Sequence, residues 1–299
     1  MQKENLEQQI ENHLKRFEQA VDLPFFNEQT GEKMKFIRDG IIDVAEYLKA
    51  PIKILWILKE ANSSDNSLDE MRVCLKKLHN DNNNIDVLWG PTWRPIAYAT
   101  YGIFEDMNFA DIPEMNGNAQ EVLKYMPSIA HINVKKYAGG SSENQKEVQQ
   151  FYSKYKELIH EQMEVINPDI LIFGGTFGYF EEYFEGVEKV QERLFPIYQW
   201  NNKLLIDTYH PNGLRGARIK QEEYCDEIIN AVRKWKQKTQ KQNAERLTGG
   251  LAQAGQWLAR KFVRIWKFCA RPNGSESPAC AKPLERCRQC GESVRTLTE

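Results

Sequence analysis

The sequence predicts an α/β fold in which residues 1–240 form a three-layer α/β/α domain around a central four-stranded parallel sheet. Two observations lead to this prediction. Short apolar runs alternate along the chain with longer segments whose apolar residues recur at helical spacing. Each apolar run is followed by polar or glycine-rich residues, as at the strand ends of βαβ units.

The four apolar runs are the predicted strands, at 52–58, 128–134, 169–173 and 203–207. The first follows Pro51 and reads IKILWIL. Strands that are covered on both faces read as nearly continuous apolar runs, so these segments favour a parallel sheet between two helical layers. No apolar run reaches the roughly 18 residues of a membrane-spanning helix, so we expect a soluble protein without a membrane partner.

Amphipathic segments between and around the strands are the predicted helices. The first places Leu6, Ile10 and Leu14 on one face. The longest ends before Pro168, because proline disfavours the helical conformation of the residue before it. We expect the N-terminal helices, within 1–48, to pack on the sheet domain. The predicted helices cover 3–22, 32–48, 68–79, 93–106, 143–166, 177–184 and 219–240.

Residues 241–299 differ from the rest of the chain. They contain 11 Lys and Arg against 5 Asp and Glu, a net charge of +6, whereas residues 1–240 carry −8. A stretch around 253–268 has helical spacing, and a segment rich in Ser, Pro and Gly follows it. The βαβ pattern does not continue here, so we expect a poorly ordered basic tail with one helix at most.

The six cysteines favour neither a disulfide framework nor a metal site. Cys74 and Cys225 are far apart in the main domain, which is typical of a reducing compartment and predicts a cytoplasmic protein. The tail has only one closely spaced pair, whereas structural zinc usually uses two. The tail cysteines are Cys269, Cys280, Cys287 and Cys290.

The uneven charge bears on nucleic-acid binding. Lys and Arg contacts to phosphate supply much of the affinity for DNA, so an acidic main domain is unfavourable for such a partner. Net charge does not exclude one basic face on that domain, however. Composition alone therefore leaves DNA binding open.

Polar residues follow each predicted strand. Glu60 and Asn62 follow the first, Asn133 ends the second, Gly174 follows the third and His210 follows the fourth. The carboxyl ends of parallel strands lie at one edge of the sheet, and ligands bind in the crevice there. We therefore expect these residues, which are remote in sequence, to meet in one cleft.

Four segments that contain these residues together resemble the motifs of the uracil-DNA glycosylase superfamily. They are 57–62 (ILKEAN), 132–133 (IN), 167–175 (NPDILIFGG) and 208–214 (TYHPNGL). The first resembles a Gly-Glu-Ala-Pro motif, the second a strand that delivers a base-reading Asn, the third a strand with its glycine turn, and the last a His-Pro-Ser motif with an intercalation loop. The resemblance covers about residues 50–235 and implies a uracil-DNA glycosylase-like fold.

The resemblance implies hydrolysis of the N-glycosidic bond of a base that is flipped out of DNA. His210 would donate a hydrogen bond to the base oxygen as negative charge develops there. Asn133 would read the uracil edge, which offers one donor and one acceptor. Glu60 or Asn62 would position water and stabilise the cationic sugar. Each of these residues also has a purely structural interpretation, as a strand cap, a loop former or a solvated side chain.

Further contacts to DNA are implied for the flanking residues. Leu214 has the spacing of an apolar wedge that replaces the flipped base, with an ordinary packed leucine as the slightly favoured alternative. Arg215 would contact phosphate. Gly174 would form the turn beside the base, and Trp93 is a candidate for stacking on it, with core packing as the alternative for this aromatic residue.

Some positions depart from the family pattern. Lys59 replaces the first glycine, and Asn212 replaces the serine of His-Pro-Ser. Some branches hold an iron–sulfur cluster with a cysteine just after the second strand, where this chain has Tyr137. Such a cluster needs thiolate ligands. We therefore predict no cluster, no other cofactor and no metal.

Two main hypotheses follow. The first is a uracil-DNA glycosylase-like hydrolase that cleaves the N-glycosidic bond of a deaminated or damaged base in base excision repair, with DNA as its partner and no obligate protein partner. The second is a catalytically inactive module of the same fold that binds a nucleobase, nucleotide or nucleic acid. Asn133 and His210, which occur in the order of the family motifs, favour the first hypothesis. The acidic charge of the main domain and the altered first motif favour the second. A different hydrolase on an open α/β sheet is a third interpretation.

Overall fold

A computed structural model describes residues 2–22, 34–61, 68–80, 90–139, 145–242 and 244–245. Contacts between Cα atoms divide the chain into two units, Met1–Lys241 and Gln242–Glu299. Of the second unit only residues 242, 244 and 245 are described, so the predicted tail beyond residue 245, with its four cysteines, lies outside the described residues. The first unit has an α/β fold.

The described residues form one mixed sheet of seven strands in the order β1-β3-β2-β4-β7-β6-β5. Strands β3, β2, β4 and β7 are parallel neighbours, β1 pairs antiparallel with β3, and β5 and β6 extend the other edge antiparallel. The strands are β1 (Gly40–Ile41), β2 (Ile54–Leu58), β3 (Ala130–Asn133), β4 (Ile170–Gly174), β5 (Glu188–Glu192), β6 (Pro196–Trp200) and β7 (Lys203–Thr208).

Helices precede, connect and follow these strands. The longest, α6, ends where Asn167 adopts a positive φ of 46° before Pro168, which confirms the predicted end. The helices are α1 (Gln2–Ala20), α2 (Val44–Lys49), α3 (Met71–Asn80), α4 (Gly90–Glu105), α5 (Met115–Leu123), α6 (Gln145–Ile166), α7 (Phe177–Phe180), α8 (Leu214–Ala217) and α9 (221–242). Short 3₁₀ turns occur at Phe109–Asp111, Met126–Ser128 and Pro211–Gly213. Within the described part of the chain, no helix is long and apolar enough to cross a membrane.

Both faces of the sheet are buried, because successive strand residues point to opposite sides and both sets are apolar. In β2, Trp56 and Leu58 point to one side, and Leu55 and Ile57 to the other. The α4-side core consists of the side chains from α3, α4, α5 and α9 that pack on the first face. The α6-side core consists of those from α1, α6 and α7 on the second face. This arrangement explains the continuous apolar runs in the sequence.

The structure corrects the predicted number of strands. The four predicted strands are present and parallel, but the sheet is not four-stranded, because β1, β5 and β6 add antiparallel strands at its edges. Strand β5 was not predicted because its sequence, EKVQE, is charged and its residues are mostly exposed. An exposed edge strand lacks the apolar pattern of a buried one.

Two predicted helices are shorter than expected. The helix predicted at 32–48 is limited to α2, because Gly40 has φ +131°, which no helix interior accommodates, and lies in β1. Asp43 then caps α2 by accepting hydrogen bonds from the backbone N–H groups of Ala45 and Glu46. The helix predicted at 177–184 ends at Phe180 and continues as a turn.

Candidate functional site

The carboxyl ends of the four parallel strands meet at one edge of the sheet. Leu58 of β2 lies opposite Asn133 of β3, and Gly174 of β4 lies opposite Thr208 of β7. Residues that follow these positions share that edge, the usual place for ligands in open α/β sheets. The predicted site residues at this edge are Glu60, Asn133, Gly174 and His210.

Glu60 lies against the backbone that follows β3. Main-chain hydrogen bonds continue the β2–β3 pairing past the strand ends, from Lys135 N–H to Lys59 O (2.8 Å) and from Gly139 N–H to Ala61 O (2.8 Å). A Cβ atom at Gly139 would lie 2.1 Å from the Glu60 carboxyl carbon, well inside van der Waals contact. The glycine at this position therefore allows the carboxylate to lie here.

The Glu60 carboxylate forms an ion pair with Lys135. Lys135 Nζ also lies 3.1 Å from Glu147 Oε2 and 4.4 Å from the ring centroid of Tyr137. The side chains of Glu60 and Lys135 are only 9% and 1% exposed. Separating two buried opposite charges is strongly unfavourable, so the pair holds Glu60 in place and neutralises its charge.

Asn133 and His131 lie two residues apart on the face of β3 that points to the α4-side core. The His131 ring meets the Trp93 ring edge to face, with 4.9 Å between centroids. The two polar side chains are 2% and 1% exposed. Asn133 is the polar neighbour of the His131 ring, but no hydrogen bond of normal geometry joins them.

Three buried polar atoms here are exceptional. Neither ring nitrogen of His131 nor Oδ1 of Asn133 has a hydrogen-bond partner among the described residues. Buried polar groups are almost always hydrogen-bonded, because an unpaired one costs free energy. These atoms therefore point to a ligand or to ordered water as their partner.

Burial lowers the pKa of His131 to about 4. Asp39 opposes this shift, whereas the positive charge of Lys136 adds to it. The imidazole is therefore neutral at pH 7 and offers one hydrogen-bond donor and one acceptor. A protonated His210 ring would lower this pKa further.

His210 begins the turn that follows β7. Its Nδ1 accepts a hydrogen bond from the backbone N–H of Asn212 (3.2 Å), and its carbonyl oxygen accepts one from Gly213 N–H (2.7 Å). With Nδ1 as acceptor, a neutral ring carries its proton on Nε2, which is then a donor. The half-buried His210 ring thus has the tautomer that stabilisation of an oxygen with developing negative charge requires.

Gly174 allows the β2 and β7 ends to approach one another. A Cβ atom at this position would lie 2.5 Å from Leu58 Cδ2, 3.2 Å from Pro211 Cδ and 3.7 Å from His210 Cα. The next residue, Gly175, has φ +68°, and its N–H donates to Thr208 O (2.7 Å). The two glycines therefore position the His210 turn, in agreement with a glycine turn at this place.

The remaining predicted site residues lie in different surroundings. Trp93 is buried in the α4-side core, where its ring contacts His131. Leu214 is also buried in that core, which favours the packed-leucine interpretation over the wedge. Arg215 is exposed and follows the His210 turn. Asn62 lies outside the described residues.

Sequence reasoning missed His131, Lys135 and Asp39. His131 is a lone histidine in an apolar strand, two positions before Asn133, and this spacing was the available signal for a shared face. The ion pair of Lys135 with Glu60 depends on tertiary contacts and has no local signal. Asp39 Oδ2 accepts the backbone N–H of Asn133 at 2.7 Å and so fixes the end of β3.

A further titratable group lies near this edge of the sheet, on β7. The pKa of Asp207 is raised to about 6, mainly by burial and also by the nearby Glu181, whereas Lys189 opposes the shift. Asp207 alternates with Ile206 of the α4-side core, so its side chain is on the opposite face of the sheet from His131. It is therefore not part of the cluster around Asn133.

Within the described residues, no group of three His, Cys, Asp or Glu side chains could hold a metal ion. A comparison of the sequence with models of known protein families gives no match. No curated protein matches it either. The indications of function are therefore the geometry at the carboxyl edge of the sheet and the motif resemblance.

Proposed function

We propose that the protein is a uracil-DNA glycosylase-like hydrolase, which cleaves the N-glycosidic bond of a deaminated or damaged base in DNA. The observation that carries the proposal is the buried amide of Asn133, whose Oδ1 has no hydrogen-bond partner in the described part of the chain. Uracil offers N3–H as a donor beside O4 as an acceptor. An amide can pair with both, and the unpartnered Oδ1 would accept the N3–H.

His210 supports a hydrolytic role. As the glycosidic bond breaks, negative charge develops on the departing base, and a donor aimed at a base oxygen stabilises the transition state more than the bound substrate. The Nδ1 contact with Asn212 N–H leaves the proton of a neutral ring on Nε2. His210 would therefore act as a neutral hydrogen-bond donor.

DNA contacts would come from the segment after His210. Arg215, Arg218 and Lys220 are all exposed there. Their positive charges provide a local basic surface on an otherwise acidic domain, and phosphate contacts of this kind position a duplex or a single strand. The basic tail, residues 241–299, adds positive charge that would increase affinity for DNA without sequence preference.

One observation favours a second candidate, a base-binding module that does not cleave. Glu60 is the described candidate for positioning water and stabilising the cationic sugar, and it is paired with the buried Lys135. A neutralised carboxylate stabilises a cation poorly. On this alternative, Asn133 and its neighbours bind a base, and no glycosidic bond is broken.

Incubation with uracil-containing single- and double-stranded oligonucleotides, followed by alkaline cleavage at abasic sites, tests the proposal. Cleavage by the wild type and a loss of roughly a hundredfold in rate for His210→Ala are expected, since one such donor typically contributes about 3 kcal/mol. His160→Ala is the control, because His160 contacts Tyr152 at 2.9 Å on the α6 side of the sheet. Uracil-dependent binding without cleavage supports the second candidate, and neither binding nor cleavage contradicts both.

A further inference from the structure

The His131 imidazole has no structural partner that explains its burial. Both ring nitrogens lack hydrogen bonds within the described residues, and the side chain is 1% exposed. A neutral imidazole can donate one hydrogen bond and accept another, and His131 forms neither with the described residues. Phenylalanine would fill similar space without this cost, so packing alone does not account for a histidine here.

Other unpartnered polar atoms lie on the same side of the sheet. Trp56, which is opposite His131 in the β2–β3 register, has an unpartnered and buried Nε1. Thr100 of α4 has an unpartnered and buried Oγ1 and lies two helical turns after Trp93, which touches His131. Together with Oδ1 of Asn133, these atoms belong to β2, β3 and α4, each of which places side chains on the α4 side of the sheet.

We propose that His131 is a second base-reading residue, which contacts the polar edge of an uncharged pyrimidine together with Asn133. This inference rests on the proposed function and adds to it a residue that selects the ligand. Asn133 and His131 share one strand face, so their side chains are neighbours along that face. The edge-to-face contact with Trp93 fixes the plane of the imidazole.

The chemistry of the pair defines the ligand class. The pKa of His131 is lowered to about 4 by burial, so neither member of the pair is charged at pH 7. A neutral imidazole and an amide each offer a donor and an acceptor. They suit a planar ring that carries carbonyl and N–H groups, and they offer no counter-charge to an anionic or cationic ligand.

The test replaces His131 with Phe, which keeps an aromatic ring against Trp93 and removes both nitrogens. The matched control is His13→Phe. His13 is also a buried histidine with an edge-to-face aromatic neighbour, Phe17 at 5.9 Å, but it belongs to α1 on the other side of the sheet.

Fluorescence anisotropy measures the dissociation constants of two single-stranded oligonucleotides, one with a central uracil and one with an abasic analogue at that position. The ratio of the two constants is the preference for uracil. His131→Phe should lower the wild-type preference for uracil at least tenfold, with little change in binding of the abasic analogue. His13→Phe should keep the wild-type ratio. His131→Gln, which restores a donor and an acceptor, should recover part of the preference.

A second measurement uses the wild type, so it does not depend on how a variant folds. The imidazole ¹⁵N resonances of His131, assigned by their absence in His131→Gln, should shift when the protein is saturated with free uracil. Unshifted resonances, or an unchanged uracil preference in folded His131→Phe, would overturn the role of His131 alone. A wild type with no preference for uracil would overturn the proposed function and this inference with it.

Discussion

Each side of the sheet contains a buried polar cluster, and the two clusters differ in their hydrogen bonds. On the α6 side, Lys136, Asp39 and Gln162 form what we call the lysine network, in which Lys136 Nζ donates to Asp39 Oδ1 (2.7 Å) and Gln162 Oε1 (2.8 Å). Gln162 Nε2 donates to Asp39 Oδ1 at 2.9 Å. On the α4 side, His131 and Asn133 leave three polar atoms unpartnered among the described residues.

We attribute a structural role to the lysine network and a ligand-binding role to the pair of His131 and Asn133. A fully hydrogen-bonded buried network makes the fold more specific and rigid, whereas unpaired buried groups are tolerated where a ligand supplies the missing partners. The two regions are joined, because Asp39 Oδ2 accepts the backbone N–H of Asn133 (2.7 Å). The lysine network therefore holds the backbone of a residue whose side chain faces the candidate site.

The largest expected effect comes from breaking the lysine network. Lys136→Met leaves the Asp39 carboxylate buried without its cation, which should lower the free energy of unfolding by about 3–5 kcal/mol in urea denaturation. Lys156→Met is the control, since Lys156 lies 3.7 Å from Glu182 in an exposed ion pair and should cost less than about 1 kcal/mol. Equal effects of the two substitutions would show that the network has no special structural role.

The next largest effect is expected from a substitution at Gly139, which lies close to the Glu60 carboxylate after β3. Gly139→Ala places a Cβ atom 2.1 Å from the Glu60 carboxyl carbon, so Glu60 or the backbone must move. We expect a loss of about 1–3 kcal/mol in the free energy of unfolding, as for overpacking in a core. Gly216→Ala, where no atom lies within 4 Å of the new Cβ, should change it by less than about 0.5 kcal/mol. A silent Gly139→Ala would mean that Glu60 is not held in this position.

A matched pair of amide substitutions compares the two sides directly. Gln162→Leu removes three hydrogen bonds from the lysine network and should cost about 1–3 kcal/mol in the free energy of unfolding. Asn133→Leu removes an unpartnered oxygen and should change that free energy by less than about 1 kcal/mol, while abolishing the preference for uracil. Thermal and urea denaturation of both variants provide the measurement. A larger loss for Asn133→Leu would contradict a recognition role for that amide.

The sequence predicted the parallel strands well because their signal is local. Strands β2, β3, β4 and β7 are continuous apolar runs, and both of their faces are buried. Strand β5 was missed because exposure removes that signal, and two-residue β1 is too short to show one. Asn133 and His210 were predicted as strand-end residues, whereas the partners of Glu60 and the orphaned nitrogens of His131 depend on contacts between distant segments.

The smallest expected effect comes from Asp207, which tests whether a polar side chain on the α6 side of β7 takes part in recognition. Its pKa is raised from its ordinary value of 3.8 to about 6, by burial first and then by Glu181. The folded chain therefore binds this proton more tightly than the unfolded chain, so the contribution of Asp207 to stability is present below pH 3.8 and is lost as the pH rises through about 6.

Asp207→Asn removes this dependence, because the amide stays neutral. The variant should melt at a higher temperature than the wild type at pH 7, and this advantage should shrink toward pH 4. Because Asp207 is on the opposite face of the sheet from His131, the uracil preference should not change. Thermal melting at the two pH values, with oligonucleotide binding at pH 7, measures both. A variant that loses uracil preference would place Asp207 in the recognition site, and the division between the two sides of the sheet would not hold at β7.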